Sequence, residues 1–151
     1  MAVALRGSSE RGARLLALSL LLLLAATGQA RDVPGRLVRL PVSAPDVQVA
    51  VAFAVKAYNE ASAKSFYSRA LRVLLASHQM VAGSLYYLTI ELVNTTCEKN
   101  ERAQLMPADL ERCPLPPKAE QQKEICKFQI WTRSWLSDTR LTHMSCEPTH
   151  S

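Results

Sequence analysis

Residues Ser77–Val93, SHQMVAGSLYYLTIELV, decide the reading of this chain. From Tyr86 onward apolar and polar residues alternate, with Tyr86, Leu88, Ile90 and Leu92 on one side and Tyr87, Thr89 and Glu91 on the other. That is the pattern of a half-buried antiparallel strand. Just before it, Gln79-Met80-Val81-Ala82-Gly83 carries a glycine that a strand interior would not favour, so this stretch predicts a hairpin turn. The preceding Ala70–Ala76 also alternates, and Leu71, Val73 and Leu75 are expected to share its buried face.

Working outward, Phe128, Ile130 and Thr132 oppose Lys127, Gln129 and Trp131 in a third strand, and residues 140–146 predict a last one after a turn at Ser134-Trp135-Leu136. A polar loop over residues 98–124 holds Pro116-Pro117 and room for a short helical turn. Upstream, Val47, Ala50, Val51, Ala54, Ala57, Tyr58 and Ala61 recur every three or four residues, the mark of an amphipathic helix. Its start is expected at Ser43-Ala44-Pro45-Asp46, with Ser43 as cap, a proline suited to a first turn and an acid that complements the helix dipole. Leu37–Leu40 predicts a short strand ahead of the helix. The fold class is therefore α+β: a curved antiparallel sheet of four to five strands packed on one long helix.

The first 30 residues read differently. Arg6, Arg11 and Arg14 precede an uncharged apolar run over residues 15–26 and small residues up to Ala30. This is the composition of a secretory signal peptide, and the run is shorter than the roughly 20 apolar residues that span a bilayer. Residues 1–30 are assigned to the leader and residues 31–151 to a single exported domain of roughly 120 residues, enough for one core. Of the formal charge of +5, the leader carries +2. The remainder has scattered basic residues among acids, which excludes a nucleic-acid or membrane footprint.

All four cysteines, Cys97, Cys113, Cys126 and Cys146, lie in the exported part. An even count in an oxidising compartment predicts two disulfides, with three pairings open. The sequential one, Cys97 with Cys113 and Cys126 with Cys146, closes two modest loops, each worth roughly 3 kcal/mol by chain entropy. The spacing is not that of a zinc site, His78, His143 and His150 show no metal spacing, and no nucleophile, phosphate-loop or H-E-x-x-H motif occurs. An enzyme and a cofactor are both excluded on this reading. Asn94-Thr95-Thr96 is a sequon for N-glycosylation.

Three turn-like, uncharged features remain: Val33-Pro34-Gly35, Gln79 to Gly83, and Ser134-Trp135-Leu136. Alternate hairpin turns of a meander lie at the same end of the sheet, so Val81 and Trp135 should fall on one edge, with Gly35 beside them. Together they predict an apolar wedge.

Gln79, Val81 and Gly83 form the Q-x-V-x-G motif of the cystatins. With Gly35 before the helix, Ala57-Tyr58-Asn59 at its end, Leu115-Pro116-Pro117-Lys118-Ala119, Trp135 in the second hairpin and the four cysteines, the chain resembles secreted type 2 cystatins, and is similar to those of snake venoms. The resemblance implies the cystatin fold and reversible, tight-binding, non-covalent inhibition of papain-like cysteine proteases such as cathepsins L, S and B. It implies that Val33, Pro34, Gly35, Gln79, Met80, Val81, Ala82, Gly83, Ser134 and Trp135 enter the protease cleft. It also implies a monomer that could form a domain-swapped dimer by opening the first hairpin. Two departures stand out. Ser134 replaces the family's proline, which leaves that hairpin freer. Ala63 stands where some members carry the asparagine used against legumain, which implies no strong inhibition of that protease. The competing class is a non-inhibitory secreted glycoprotein that uses the same fold for binding.

Overall fold

In the computed structural model, which describes residues 35–102 and 104–149, five antiparallel strands form one sheet in the order β1-β2-β3-β4-β5. The strands are β1 (Val38–Arg39), β2 (Phe66–Met80), β3 (Ser84–Glu98), β4 (Lys123–Arg133) and β5 (Asp138–Pro148). Helix α1 (Pro45–Ala61) follows β1, and a single-turn α2 (Pro107–Leu110) lies in the long β3–β4 connection. Sequence order equals spatial order throughout, as a meander built from hairpins requires. The α+β fold, a curved antiparallel sheet with one long helix, is the one expected.

The core lies between α1 and one face of the sheet. Val47, Ala50, Val51, Ala54, Val55 and Tyr58 of the helix meet Tyr86, Leu88, Ile90 and Leu92 of β3 and Phe128 and Ile130 of β4, all buried. The predicted faces of β3 and β4 hold. The helix face is rotated slightly from expectation: Val55 and Asn59 are buried and Ala61 is exposed.

Strand β2 departs from simple alternation. Leu71, expected inside, is 38% exposed, while Ala70, Val73 and Ala76 face the core at steps of three. Two bulges, between Ala70 and Arg72 and between Val73 and Leu75, account for the step. Each inserts one extra residue, so Ala70, Val73 and Ala76 still pair with the regularly spaced Leu92, Ile90 and Leu88. The bulges also bend β2, which lets the sheet curve around the helix.

The helix start differs as well. Ala44, not Ser43, occupies the cap position, no side chain caps it, and Pro45 is the first helical residue. Proline has no N–H to satisfy there, which lessens the need for a capping side chain. Asp46 in the first turn accepts a hydrogen bond from the Tyr86 hydroxyl at 2.9 Å, tying the helix start to β3. At the other end Asn59 is buried and exchanges hydrogen bonds with Ser68: its Nδ2 donates to Ser68 O and its Oδ1 accepts from Ser68 N, both at 2.8 Å. The Lys99 ammonium completes this end by donating to the carbonyls of Asn59 and Ser62, where a positive charge complements the helix dipole.

Burial, and then the hydrogen bond to Asp46 and the charge of its carboxylate, push the Tyr86 hydroxyl from 10.0 up to about 12. A folded-state pKa above the unfolded one contributes stability that is complete below pH 10 and lost as the pH rises through about 12. Urea midpoints measured between pH 9 and pH 12 should therefore fall more steeply for the wild type than for Tyr86→Phe. Parallel profiles would show that this hydroxyl is not the alkaline trigger.

The cysteines pair sequentially, Cys97 with Cys113 and Cys126 with Cys146. Cys126 and Cys146 are opposite residues of β4 and β5, and Cys97 joins the end of β3 to the segment after α2. No cysteine is left free.

Candidate functional site

Gly35, the β2–β3 hairpin and the β4–β5 hairpin meet at one end of the sheet. Gly35 N donates to Met80 O at 3.1 Å and Leu40 N to Ala76 O at 2.9 Å, so the segment around β1 runs alongside the last turn of β2. Val33 and Pro34 lie outside the described residues.

The first hairpin tip is Val81-Ala82-Gly83. Val81 N donates to Gly83 O at 2.9 Å, and Ala82 (φ 47°) and Gly83 (φ 140°) both have positive φ. Glycine is required at 83 for a reason internal to the molecule. It is buried, and a Cβ there would stand 2.7 Å from Thr132 O and 3.1 Å from Trp131 Nε1. Gly35 is the opposite case: nothing lies within 4 Å of a Cβ, and only its φ of 88° favours glycine.

Gln79 does not reach out of the tip. Its Nε2 donates to Gly35 O at 2.7 Å and its Oε1 accepts from the Tyr87 hydroxyl at 3.1 Å. The glutamine thus ties the N-terminal segment to the hairpin, a task that its paired donor and acceptor suit. Met80 and Val81, by contrast, are exposed, Val81 by 46%.

The second tip is a 3₁₀ turn, Ser134–Leu136, closed by Ser137 in the left-handed region at φ 49°. Trp135 is 65% exposed and Leu136 is exposed beside it. The sequence predicted the turn Ser134-Trp135-Leu136 here, with Trp135 as its contact residue, but gave no part to Trp131, Arg133 or Asp138. Trp131 Nε1 donates to Val81 O at 3.1 Å and so ties the first tip to β4.

The structure therefore brings together Gly35, Val81 and Trp135 as the hairpin argument requires. What it assembles is an apolar ridge held by backbone hydrogen bonds and by side-chain bonds from Gln79 and Trp131 to backbone carbonyls. Large apolar side chains left uncovered at one end of a packed sheet mark an interaction surface. The one group of potential metal ligands among the described residues, Glu124, Cys126 and Cys146, has both thiols committed to a disulfide. No described helix is long and apolar enough to cross a membrane.

Comparison with known proteins agrees with this geometry. Residues 35–135 match the cystatin domain family. A protein named cystatin from Naja kaouthia is 49% identical over 128 residues, covering 85% of this chain and 88% of that one. A cystatin from Notechis scutatus scutatus is 46% identical over the same shares. Among solved structures, that of dimeric human cystatin F is similar with a TM-score of 0.68 and 25% identity, over 83% of this chain and 98% of that one. That of Al-CPI is similar with a TM-score of 0.63 and 26% identity, over 76% and 100%. The chain belongs to the cystatin family, whose members are generally cysteine protease inhibitors rather than enzymes.

Proposed function

We propose that this protein is a secreted, reversible, tight-binding inhibitor of papain-like cysteine proteases such as cathepsins L, S and B, acting by occlusion of the active-site cleft. The observation that carries the reading is the ridge itself: Val81 and Trp135 project into solvent from two hairpins at one end of the sheet, and the first tip is held to β4 by the bond from Trp131 Nε1 to Val81 O. Exposed apolar side chains on a rigid frame lose little freedom on binding, which is how preorganised interfaces gain affinity. All four cysteines are held in disulfides, so a mixed disulfide with the protease's thiol is not part of this reading.

In this reading Val33, Pro34 and Gly35 approach the non-primed side of the cleft, Met80 to Gly83 lie across its centre, and Ser134 and Trp135 cover the primed side. Gln79 acts from behind by holding Gly35 against the hairpin. A chain that crosses a cleft without presenting a peptide bond for attack is not consumed. Residues 1–30 serve as the secretory leader and 31–151 as the mature domain, in keeping with two disulfides that need an oxidising compartment. Asn94 is a glycosylation site in this reading. Its Oδ1 accepts from Gln122 N at 2.7 Å, a bond that a glycan on Nδ2 leaves available. The active form is a monomer, because a swapped dimer would unfold the first hairpin and lose inhibition.

Trp135→Ala should weaken inhibition of papain by roughly 30-fold, the loss of about 2 kcal/mol that an aromatic hot spot carries. Titration of papain and cathepsins L and B with the mature protein and this variant checks it. Proteases unaffected by micromolar wild-type protein would favour the alternative, a non-inhibitory cystatin-fold binding glycoprotein.

A further inference from the structure

A continuous set of side-chain contacts runs from the tip of the first hairpin to the base of the second. Trp131 Nε1 donates to Val81 O at 3.1 Å. The Arg133 guanidinium lies over the Trp131 ring, 4.6 Å from its centre. Arg133 Nη2 donates to Asp138 Oδ2 at 2.5 Å, and Arg140 Nε donates to Asp138 Oδ1 at 3.0 Å. Arg133 and Asp138 are opposite residues in the β4–β5 register and stand on either side of the 3₁₀ turn that carries Trp135.

The chemistry of each member suits the contact it makes. An indole N–H is a donor only, and here it is aimed at a carbonyl of the tip rather than at solvent. A planar guanidinium can stack on an indole and pair with a carboxylate at the same time, which an ammonium cannot do as well. Asp138 closes the set, since it meets the arginine that stacks on Trp131 and a second arginine from its own strand. Gly83 belongs to the same arrangement, because Trp131 Nε1 and Arg133 Cγ occupy the space that a side chain at 83 would need.

We propose that Trp131, Arg133 and Asp138 are positioning residues that brace the two hairpins in one relative arrangement. The inference rests on the inhibitory reading for its consequence, though not for its structural content. Two apolar anchors seat together only if both hairpins are in place. If either tip wanders, the apparent affinity falls by the fraction of molecules in the competent arrangement. Ser134 leaves φ of its turn unrestrained, and the brace restrains that turn from its two flanks.

The test uses Trp131→Phe, Asp138→Asn and the double variant of the mature protein. Amide hydrogen exchange at Val81 to Gly83, inhibition of papain and thermal unfolding are measured on each. Trp131→Phe keeps a ring for Arg133 but removes the N–H, and is expected to speed exchange at the tip and to weaken inhibition by about tenfold, the effect of one well-placed hydrogen bond. Asp138→Asn should produce a smaller change of the same kind at Val81, which it does not touch. The double variant should be no worse than Trp131→Phe alone, since members of one network are not additive. The midpoint of unfolding should fall by no more than about 6 °C, the shift that one lost hydrogen bond gives a domain of this size, so that every variant is fully folded at 25 °C where inhibition is measured. Unchanged exchange in both single variants, fully additive losses, or losses of inhibition that merely follow the melting temperature would each overturn the brace. If exchange responds as expected while neither wild type nor variants inhibit any protease, the brace stands and the inhibitory reading falls.

Discussion

Gly83→Ala is expected to abolish most of the inhibitory activity and to lower the stability of the fold, although it adds a single methyl group. The added Cβ would meet Thr132 O at 2.7 Å, Trp131 Nε1 at 3.1 Å and Arg133 Cγ at 3.1 Å. Thr132 O belongs to the β4 backbone and pairs within the sheet, so it cannot yield as a side-chain tip would. A φ of 140° adds strain that no L residue relieves. Strain of this kind and overpacking cost roughly 1 to 3 kcal/mol each. The cheapest escape is for the tip to lift away from β4, which breaks the bond from Trp131 to Val81 and displaces Val81. We expect inhibition of papain to weaken by on the order of a hundredfold or more, the equivalent of about 3 kcal/mol. Gly35→Ala is the contrast: it meets no atom within 4 Å and strains only φ, so it should cost about 1 to 2 kcal/mol of stability, without the added clash. Inhibition constants and melting curves for the two variants decide the matter. Equal inhibition by Gly83→Ala and wild type would show that the tip does not depend on its contact with β4.

Removing the second disulfide, as Cys126→Ala with Cys146→Ala, should produce the largest loss of stability. The bond closes a 20-residue separation, worth roughly 3 kcal/mol of chain entropy. It does so between β4 and β5, and β5 is an edge strand paired on one side only. Cys126 is fully buried in the core beside Phe128 and Ile130, so truncation to alanine also removes packing there. A lowering of the melting temperature by about 10 to 20 °C is expected. The first disulfide closes a 16-residue separation in the segment after β3, and its removal should cost somewhat less because Cys97 is only half-buried. At 25 °C the folded remainder of the Cys126 variant should still inhibit, since Trp135 sits at the opposite end of the β4–β5 hairpin. Loss of inhibition without loss of stability would contradict this division of labour.

These two expectations show which features a linear reading could reach. The helix was legible because Val47 through Tyr58 repeat at a single period, and β3 and β4 because their inward residues alternate without interruption. Strand β2 was harder. Its inward residues Ala70, Val73 and Ala76 are spaced by three, and that spacing becomes intelligible only beside the regular Leu92, Ile90 and Leu88 that they face. The helix start misled for a related reason: Ser43 is a good capping residue by type, yet Pro45 sets the first helical position and leaves Ser43 one place too early. Asn59 was legible only as part of the Ala57-Tyr58-Asn59 motif and not as a buried residue, because its hydrogen bonds go to Ser68, across a loop and onto another element.

By itself, then, the sequence determined what repeats and what is matched by type: one helix, a meander of strands, an even set of cysteines, and the Gln79-to-Gly83, Gly35 and Trp135 pattern of the cystatins. It also settled that the tips of alternate hairpins share one end, since that follows from strand order alone. The tertiary structure decided whatever depends on residues far apart in the chain. It selected the sequential disulfides, gave Gln79 two internal partners, and showed that Gly83 yields its side-chain space to β4. It joined Val81 to Asp138 through Trp131 and Arg133. The physical reason is range: local period and turn chemistry are written in neighbouring residues, whereas steric exclusion and hydrogen bonding between strands exist only once the strands are paired.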